Sequence, residues 1–151
     1  MNNIFNYLEK KKNKLIPLIY KLINNLLLNE SDLIINDDLD LSFTNITSLP
    51  DNLIVYGYLN LFGSNITSLP NNLTVNRHLY LSFSKITKLP NNLTVNGNLS
   101  LFETNISSLP NNLIVNGNLY CNQTPLADNI KKDISLLNHY HKQIKGQIKY
   151  D

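Results

Sequence analysis

A segment of 20 residues repeats four times without a gap between Leu39 and Asn118. The four copies read LDLSFTNITSLPDNLIVYGY, LNLFGSNITSLPNNLTVNRH, LYLSFSKITKLPNNLTVNGN and LSLFETNISSLPNNLIVNGN. A partial copy, LIINDDL, begins at Leu33, and a degenerate copy, LYCNQTPLADN, begins at Leu119. Self-similarity at a short fixed period is typical of solenoids, in which each repeat forms one coil and stacks on its neighbours. The sequence therefore predicts a repeat solenoid.

Each copy contains two pairs of apolar residues whose members are two positions apart. The first pair is Leu39 and Leu41, and the second is Leu53 and Val55, with equivalents in every later coil. Side chains two apart on a strand share a face, so both pairs indicate short strands with an inward side. We expect equivalent strands of successive coils to pair in parallel, about 4.8 Å apart.

Turn residues and hydroxyl residues recur between the strands. Gly57, Gly97 and Gly117 lie between the second pair and the next coil, and they predict a corner with positive dihedral angles. A hydroxyl residue follows the first pair by three positions, and we expect it to satisfy backbone groups at the end of the strand. These residues, which we call the hydroxyl ladder, are Thr44, Ser64, Ser84, Thr104 and Thr124.

The two ends of the chain differ from the repeats. Residues 1–30 are predicted to form a helical N-terminal cap, residues 31–126 the solenoid, and residues 127–151 a C-terminal cap, all within a single domain. The C-terminal cap is predicted to contain a helix over Ala127–Lys142 and a short strand over Gly146–Tyr150.

The phrase L-x-L-x-x-T-x-I-x-x-L-P-x-N-L resembles the leucine-rich repeat family between about Leu33 and Leu126. The segments SLPNNLTVN, TPLADNIKK and KGQIKY are similar, more narrowly, to 20-residue repeat proteins of tailed phages and large DNA viruses. This resemblance implies a leucine-rich-repeat-like β-solenoid of viral origin. The repeat also resembles Leu-Pro repeats of bacterial effectors that carry a ubiquitin-ligase module. That activity does not carry over, because the only cysteine, Cys121, replaces a core leucine.

Composition argues against several classes of function. The net charge of +2 is too balanced to favour nucleic-acid binding, and one cysteine forms no disulfide within the chain. The apolar run from Leu15 to Leu28 is interrupted by Pro17 and Lys21, so we expect neither an export signal nor a membrane span. The predicted location is the cytoplasm, which would be the host cytoplasm for a viral protein.

No set of residues indicates an enzyme, and no catalytic residue, cofactor or metal site is predicted. His139 and His141 are two apart, so on a helix they point in different directions and make a poor metal pair. The acidic group of Asp37, Asp38 and Asp40 lacks the spaced oxygen ligands of a calcium loop, and it is interpreted as a solvated edge.

Aromatic residues at outward positions are the strongest indication of a binding surface. The candidate partner-binding residues are Asp40, Phe43, Asn60, Phe62, Tyr80, Phe83, Phe102 and Tyr120. One interpretation is an exposed aromatic stripe that forms an interface. The other is that the four phenylalanine rings pack on one another between coils and under the caps.

These observations favour a protein-protein interaction module, acting as a viral factor that binds a host protein and inhibits or recruits it. A protein partner is expected, and the chain is expected to be a monomer or small oligomer. The alternative is a structural virion or assembly component that stacks end to end or edge to edge. A third hypothesis, ligand or ice binding, requires the hydroxyl ladder to face outward.

Overall fold

The computed structural model describes Lys21, Leu27–Leu28 and residues 30–151. The predicted helical cap over residues 1–30 therefore lies almost wholly outside the described residues. The described part opens with a short 3-10 helix, Glu30–Leu33, and Lys21 forms an ion pair of 2.5 Å with Asp32. None of the helices in this part is long and apolar enough to cross a bilayer.

The fold is a parallel β-solenoid in which each coil contributes one two-residue strand to each of two sheets. The first sheet contains Ile34–Ile35 (β1), Ile54–Val55 (β3), Thr74–Val75 (β5), Thr94–Val95 (β7) and Ile114–Val115 (β9). The second sheet contains Leu39–Asp40 (β2), Leu59–Asn60 (β4), Leu79–Tyr80 (β6), Leu99–Ser100 (β8), Leu119–Tyr120 (β10) and Ile148–Lys149 (β11). The predicted solenoid with paired short strands is confirmed.

Equivalent residues of consecutive coils stand side by side in both sheets. Leu59 pairs with Leu39 and with Leu79, and Val75 pairs with Val55 and with Val95. The inward side chains therefore form continuous columns of Leu, Ile and Val, which are almost completely buried. Each such leucine contributes roughly 1.5–3 kcal/mol when fully buried, and no isolated coil could bury its own.

The corner glycines are required for a different reason from the predicted one. Gly57, Gly97 and Gly117 have no positive φ, so the expectation of a left-handed turn there is wrong. A Cβ atom on Gly117 would lie 2.7 Å from the carbonyl carbon of Gly97, which is closer than real Cβ atoms approach. Glycine stands at this corner because successive backbones touch.

The hydroxyl ladder bonds to the backbone as predicted, with one exception. Thr44, Ser64 and Thr104 donate to the carbonyl three residues earlier, at 2.7, 2.8 and 2.8 Å. Thr124 donates in the same way to the Cys121 carbonyl, at 2.5 Å. Ser84 is equally buried, but its Oγ has no hydrogen-bond partner. Because these hydroxyls face inward, the ladder does not offer the flat outward array that ice binding requires.

Asparagine side chains bond from coil to coil along the outside of the solenoid. The amide of Asn96 donates to Asn76, and the amide of Asn116 donates to Asn96, both at 2.8 Å. Shorter ladders of the same kind join Asn45 to Asn65, Asn52 to Asn72 and Asn92 to Asn112. An amide both donates and accepts, so identical side chains can pair with themselves at every step.

The C-terminal segment forms two helices rather than the single predicted one. The first helix, Pro125–Lys132 (α1), is capped by the Thr124 hydroxyl, which accepts from the Ala127 amide. Asp133 leaves the helical conformation, and its carboxylate accepts from Ser135, where the second helix, Ser135–Tyr140 (α2), begins. A local side-chain bond of this kind competes with the continuation of a helix.

The chain then returns to both sheets as a final half-coil. Ile144 bridges to Val115 at the edge of the first sheet, and Ile148 pairs with Leu119 at the edge of the second. The predicted strand near the C terminus is therefore present. This segment, QIKGQIK over residues 143–149, is the second half of the degenerate repeat that begins at Leu119. The two helices are inserted between the two halves.

Replacing Leu81 by alanine is predicted to destabilise the protein by roughly 2–5 kcal/mol, because it leaves a cavity between two fixed coils. Leu81 is completely buried in a central coil. Urea unfolding followed by circular dichroism measures the loss. An unchanged midpoint would contradict the inward assignment of this column.

Two matched substitutions test the hydroxyl ladder. Thr104→Val should cost about 1 kcal/mol, since it removes a buried hydrogen bond while keeping the shape of the side chain. Ser84→Ala should be neutral or slightly stabilising, because the buried Ser84 hydroxyl has no partner to lose. Equal losses in parallel urea melts would show that the Ser84 hydroxyl is bonded in solution.

Candidate functional site

The outward face of the second sheet brings four of the eight predicted site residues together in one ladder, with Ser100 as its fifth member. Pairing in register places Asp40, Asn60, Tyr80, Ser100 and Tyr120 side by side. Asp40 is exposed, and the other four are half-buried. The backbone pairing of the coils is therefore what holds this ladder in a straight line.

The four phenylalanines form a second line, which we call the aromatic row, at the turn that follows each strand of the second sheet. Its members are Phe43, Phe62, Phe83 and Phe102. The ring centroids of successive members lie 5.3, 5.1 and 5.3 Å apart, and the planes are inclined by 65°, 54° and 61°. The first and third contacts are edge-to-face and the second is tilted. Aromatic rings prefer inclined contacts of this kind, so each ring supports its neighbours.

The aromatic row is built on an unusual backbone conformation. Phe43 and Phe83 have φ angles of 54° and 60°, and the intervening coil has Gly63 at the same position with φ 61°. The left-handed region costs residues other than glycine, asparagine or aspartate roughly 1–2 kcal/mol. Gly63 also makes room for the row, since a Cβ there would lie 2.9 Å from a ring carbon of Phe43. Glu103 and Gln123 have φ angles of 52° and 55° at the same position of the next two coils, so the left-handed conformation belongs to the coil rather than to the rings.

The two interpretations of these rings are both realised in part. The rings do pack on one another between coils, as the packing interpretation requires. Nevertheless, 76% of Phe43 and 45% of Phe83 remain exposed, while Phe62 and Phe102 are half-buried. The row is thus a self-supported apolar surface that the described residues leave open to solvent.

Sequence reasoning missed a third aromatic group on the same face, which we call the tyrosine cluster. Tyr58 lies 6.1 Å from Tyr80 between ring centroids, and His78 lies 5.9 Å from Tyr80. Tyr58 and His78 stand one coil apart at the position before each strand of the second sheet. Counting outward positions in steps of 20 residues would have revealed them.

Polar groups border these rings at both ends of the face. Near β2, loss of solvation together with the carboxylates of Asp38 and Asp40 raises the pKa of Tyr58. Partial burial opposes ionisation of Asp40, but hydrogen bonds from Ser42 and Asn60 prevail and lower its pKa. Near β11, the Lys149 ammonium lies 5.4 Å from the centroid of the Tyr120 ring. The face therefore changes from acidic to basic along the solenoid axis.

The single cysteine of the sequence lies in the core behind this surface. Burial raises the pKa of the Cys121 thiol to about 12, which disfavours the thiolate at neutral pH. Within residues 30–151 and the three described residues before them, no group of three or more His, Cys, Asp or Glu side chains could hold a metal ion. What the described residues of this face present to solvent is a line of aromatic side chains.

The chain matches no family model, no curated protein and no solved structure. The repeating parallel β-solenoid is compatible with a leucine-rich-repeat-like fold.

Substituting asparagine for the phenylalanines should separate backbone strain from packing. Phe83→Asn is predicted to change the free energy of unfolding by less than about 1 kcal/mol, since asparagine tolerates the left-handed conformation and offsets the lost ring contacts. Phe102→Asn gains no such relief, because Phe102 has no positive φ. It should be the more destabilising of the two in urea melts; the reverse order would show that packing alone accounts for the row.

Proposed function

We propose that this protein binds a partner protein through the outward face of the second sheet, with the aromatic row and the tyrosine cluster as the contact area. The observation that carries the proposal is that the rings of the aromatic row pack on one another in a line while Phe43 and Phe83 remain exposed. A contiguous exposed apolar surface on a folded protein commonly marks an interaction site.

The form of the surface suits a macromolecule better than a small ligand. The aromatic row extends over four coils, with about 4.8 Å between successive strands, and two of its four rings are exposed. Small molecules generally bind in concave pockets that bury most of their surface. Rigid aromatic rings on a flat scaffold are instead typical of the anchors that dominate protein interfaces.

The nature of the partner rests on the resemblance of the repeat to those of phage and large-virus proteins. On that ground the proposal extends to a viral factor that binds a host protein in the host cytoplasm and inhibits or recruits it. The aromatic face supports partner binding in general, and the viral assignment depends on the repeat sequence alone.

Alanine substitutions on the two faces of the solenoid test the proposal. A partner captured with the wild-type protein from host lysate would be identified by mass spectrometry, and its affinity would be measured by calorimetry. Phe83→Ala and Tyr80→Ala should each weaken binding by more than about 1 kcal/mol, since aromatic anchors dominate interface energetics.

The matched control is Ile114→Ala, which truncates another exposed apolar residue, 47% exposed, on the opposite sheet. Ser100→Ala provides a second control on the binding face itself, where a small hydroxyl should contribute little. Thermal melts of every variant report folding. If Ile114→Ala weakened binding as much as Phe83→Ala, the proposal would be contradicted and the binding site would be assigned to the first sheet.

A further inference from the structure

A cleft of about 440 Å³ lies between the outward face of the first sheet and the segment around the end of α2. Thr94 lines this cleft from β7, and Asn92 and Asn112 line it from the turns that precede β7 and β9. His139 of α2 and Lys142, which follows α2, complete the polar lining described so far. The volume falls within the range of roughly 300–1,000 Å³ that is usual for small-molecule sites. The cleft therefore joins residues of the repeats with residues of the inserted helical segment.

A buried side chain with an unused acceptor also lines this cleft. Gln143 is only 9% exposed, and its Nε2 atom donates to the Asn111 carbonyl at 2.7 Å. This bond fixes which end of the side-chain amide carries the oxygen. The Oε1 atom has no hydrogen-bond partner among the described residues. A buried acceptor without a donor costs roughly 1–3 kcal/mol, so a donor supplied from the cleft would relieve this cost.

The backbone holds Gln143 at the cleft through bonds to two elements. The Val115 amide donates to the Gln143 carbonyl, and the Gln143 amide donates to the Tyr140 carbonyl, each at 2.9 Å. The next residue, Ile144, is almost completely buried and bridges to Val115 at the edge of the first sheet. The side-chain amide is thus held in place before any ligand binds, which lowers the entropic cost of using its oxygen.

The charge at the cleft favours an anion. Lys142 is exposed there and supplies a positive charge, and no aspartate or glutamate is among the residues that line the cleft. The other polar groups of the lining are the His139 ring, the Thr94 hydroxyl and side-chain amides, which donate hydrogen bonds as well as accept them. A concave surface whose charge has one sign attracts small ligands of the opposite sign.

We infer that this cleft binds a small anion that also carries hydroxyl groups, such as a sugar acid or a polyol phosphate. The Lys142 ammonium would pair with the anionic group, and a ligand hydroxyl would donate to Gln143 Oε1. The Thr94 hydroxyl and the asparagine amides would bond to the remaining ligand hydroxyls, since each of these groups both donates and accepts. This site is independent of the proposed partner interface, because it lies on the first sheet and the interface lies on the second.

Paired probes test the two recognised features separately in nuclear magnetic resonance titrations of the full chain. Gluconate and hexanoate have the same charge and number of carbon atoms, but only gluconate has hydroxyl groups that could donate to Gln143 Oε1. Glycerol phosphate and glycerol differ in the anionic group alone. Gluconate or glycerol phosphate should shift the side-chain amide signal of Gln143 saturably, and each should bind at least about fivefold more tightly than its own counterpart. The tighter of the two shows whether the site prefers a carboxylate or a phosphate.

Two lysine variants provide the matched comparison. Lys142→Ala should weaken binding of the tighter probe at least about fivefold, because the ion pair with the ligand is lost. Lys132→Ala truncates an exposed lysine of α1 that does not line the cleft, and it should bind like the wild type. Shifts that do not saturate with any probe, hexanoate binding as tightly as gluconate, or unchanged binding to Lys142→Ala would each overturn the inference. None of these results would bear on the partner interface, which the variants of the second sheet test.

Discussion

The whole molecule depends on one interaction, the parallel backbone pairing of each residue with its equivalent in the next coil. Identical positions are thereby forced to be neighbours about 4.8 Å apart. Only residues that tolerate their own copies can occupy a column. Aliphatic side chains satisfy this requirement in the core, asparagine amides satisfy it outside, and glycine satisfies it where the backbones of Gly97 and Gly117 touch.

The aromatic row follows from the same constraint. Phe43 and Phe83 occupy the left-handed turn position, whereas Phe62 and Phe102 stand one residue earlier, so successive rings are offset and meet at inclined angles. The scaffold thus holds large apolar rings outside the core, where they pack on one another. Like charges directly opposite one another are destabilising, and the ladder begun by Asp40 accordingly has four uncharged members before Lys149.

Several sequence-based expectations were correct because they concern positions whose environment repeats. The inward columns, the parallel strands and four of the five hydroxyl bonds follow directly from the period. Expectations about single positions did less well. The glycine corners were assigned to dihedral angle rather than to contact between coils, and the break at Asp133 was missed because it depends on one local side-chain bond.

The sequence by itself determined the period, the inward columns and the set of outward aromatic residues, since a repeated pattern specifies its own neighbours. Only the tertiary structure decided that Phe43 and Phe83 are exposed in a strained conformation, that Tyr58 and His78 join Tyr80, and that the last segment is a half-coil. The physical reason is that ring exposure, backbone strain and strand edges depend on how coils and inserted helices meet in space, which no spacing of residues records.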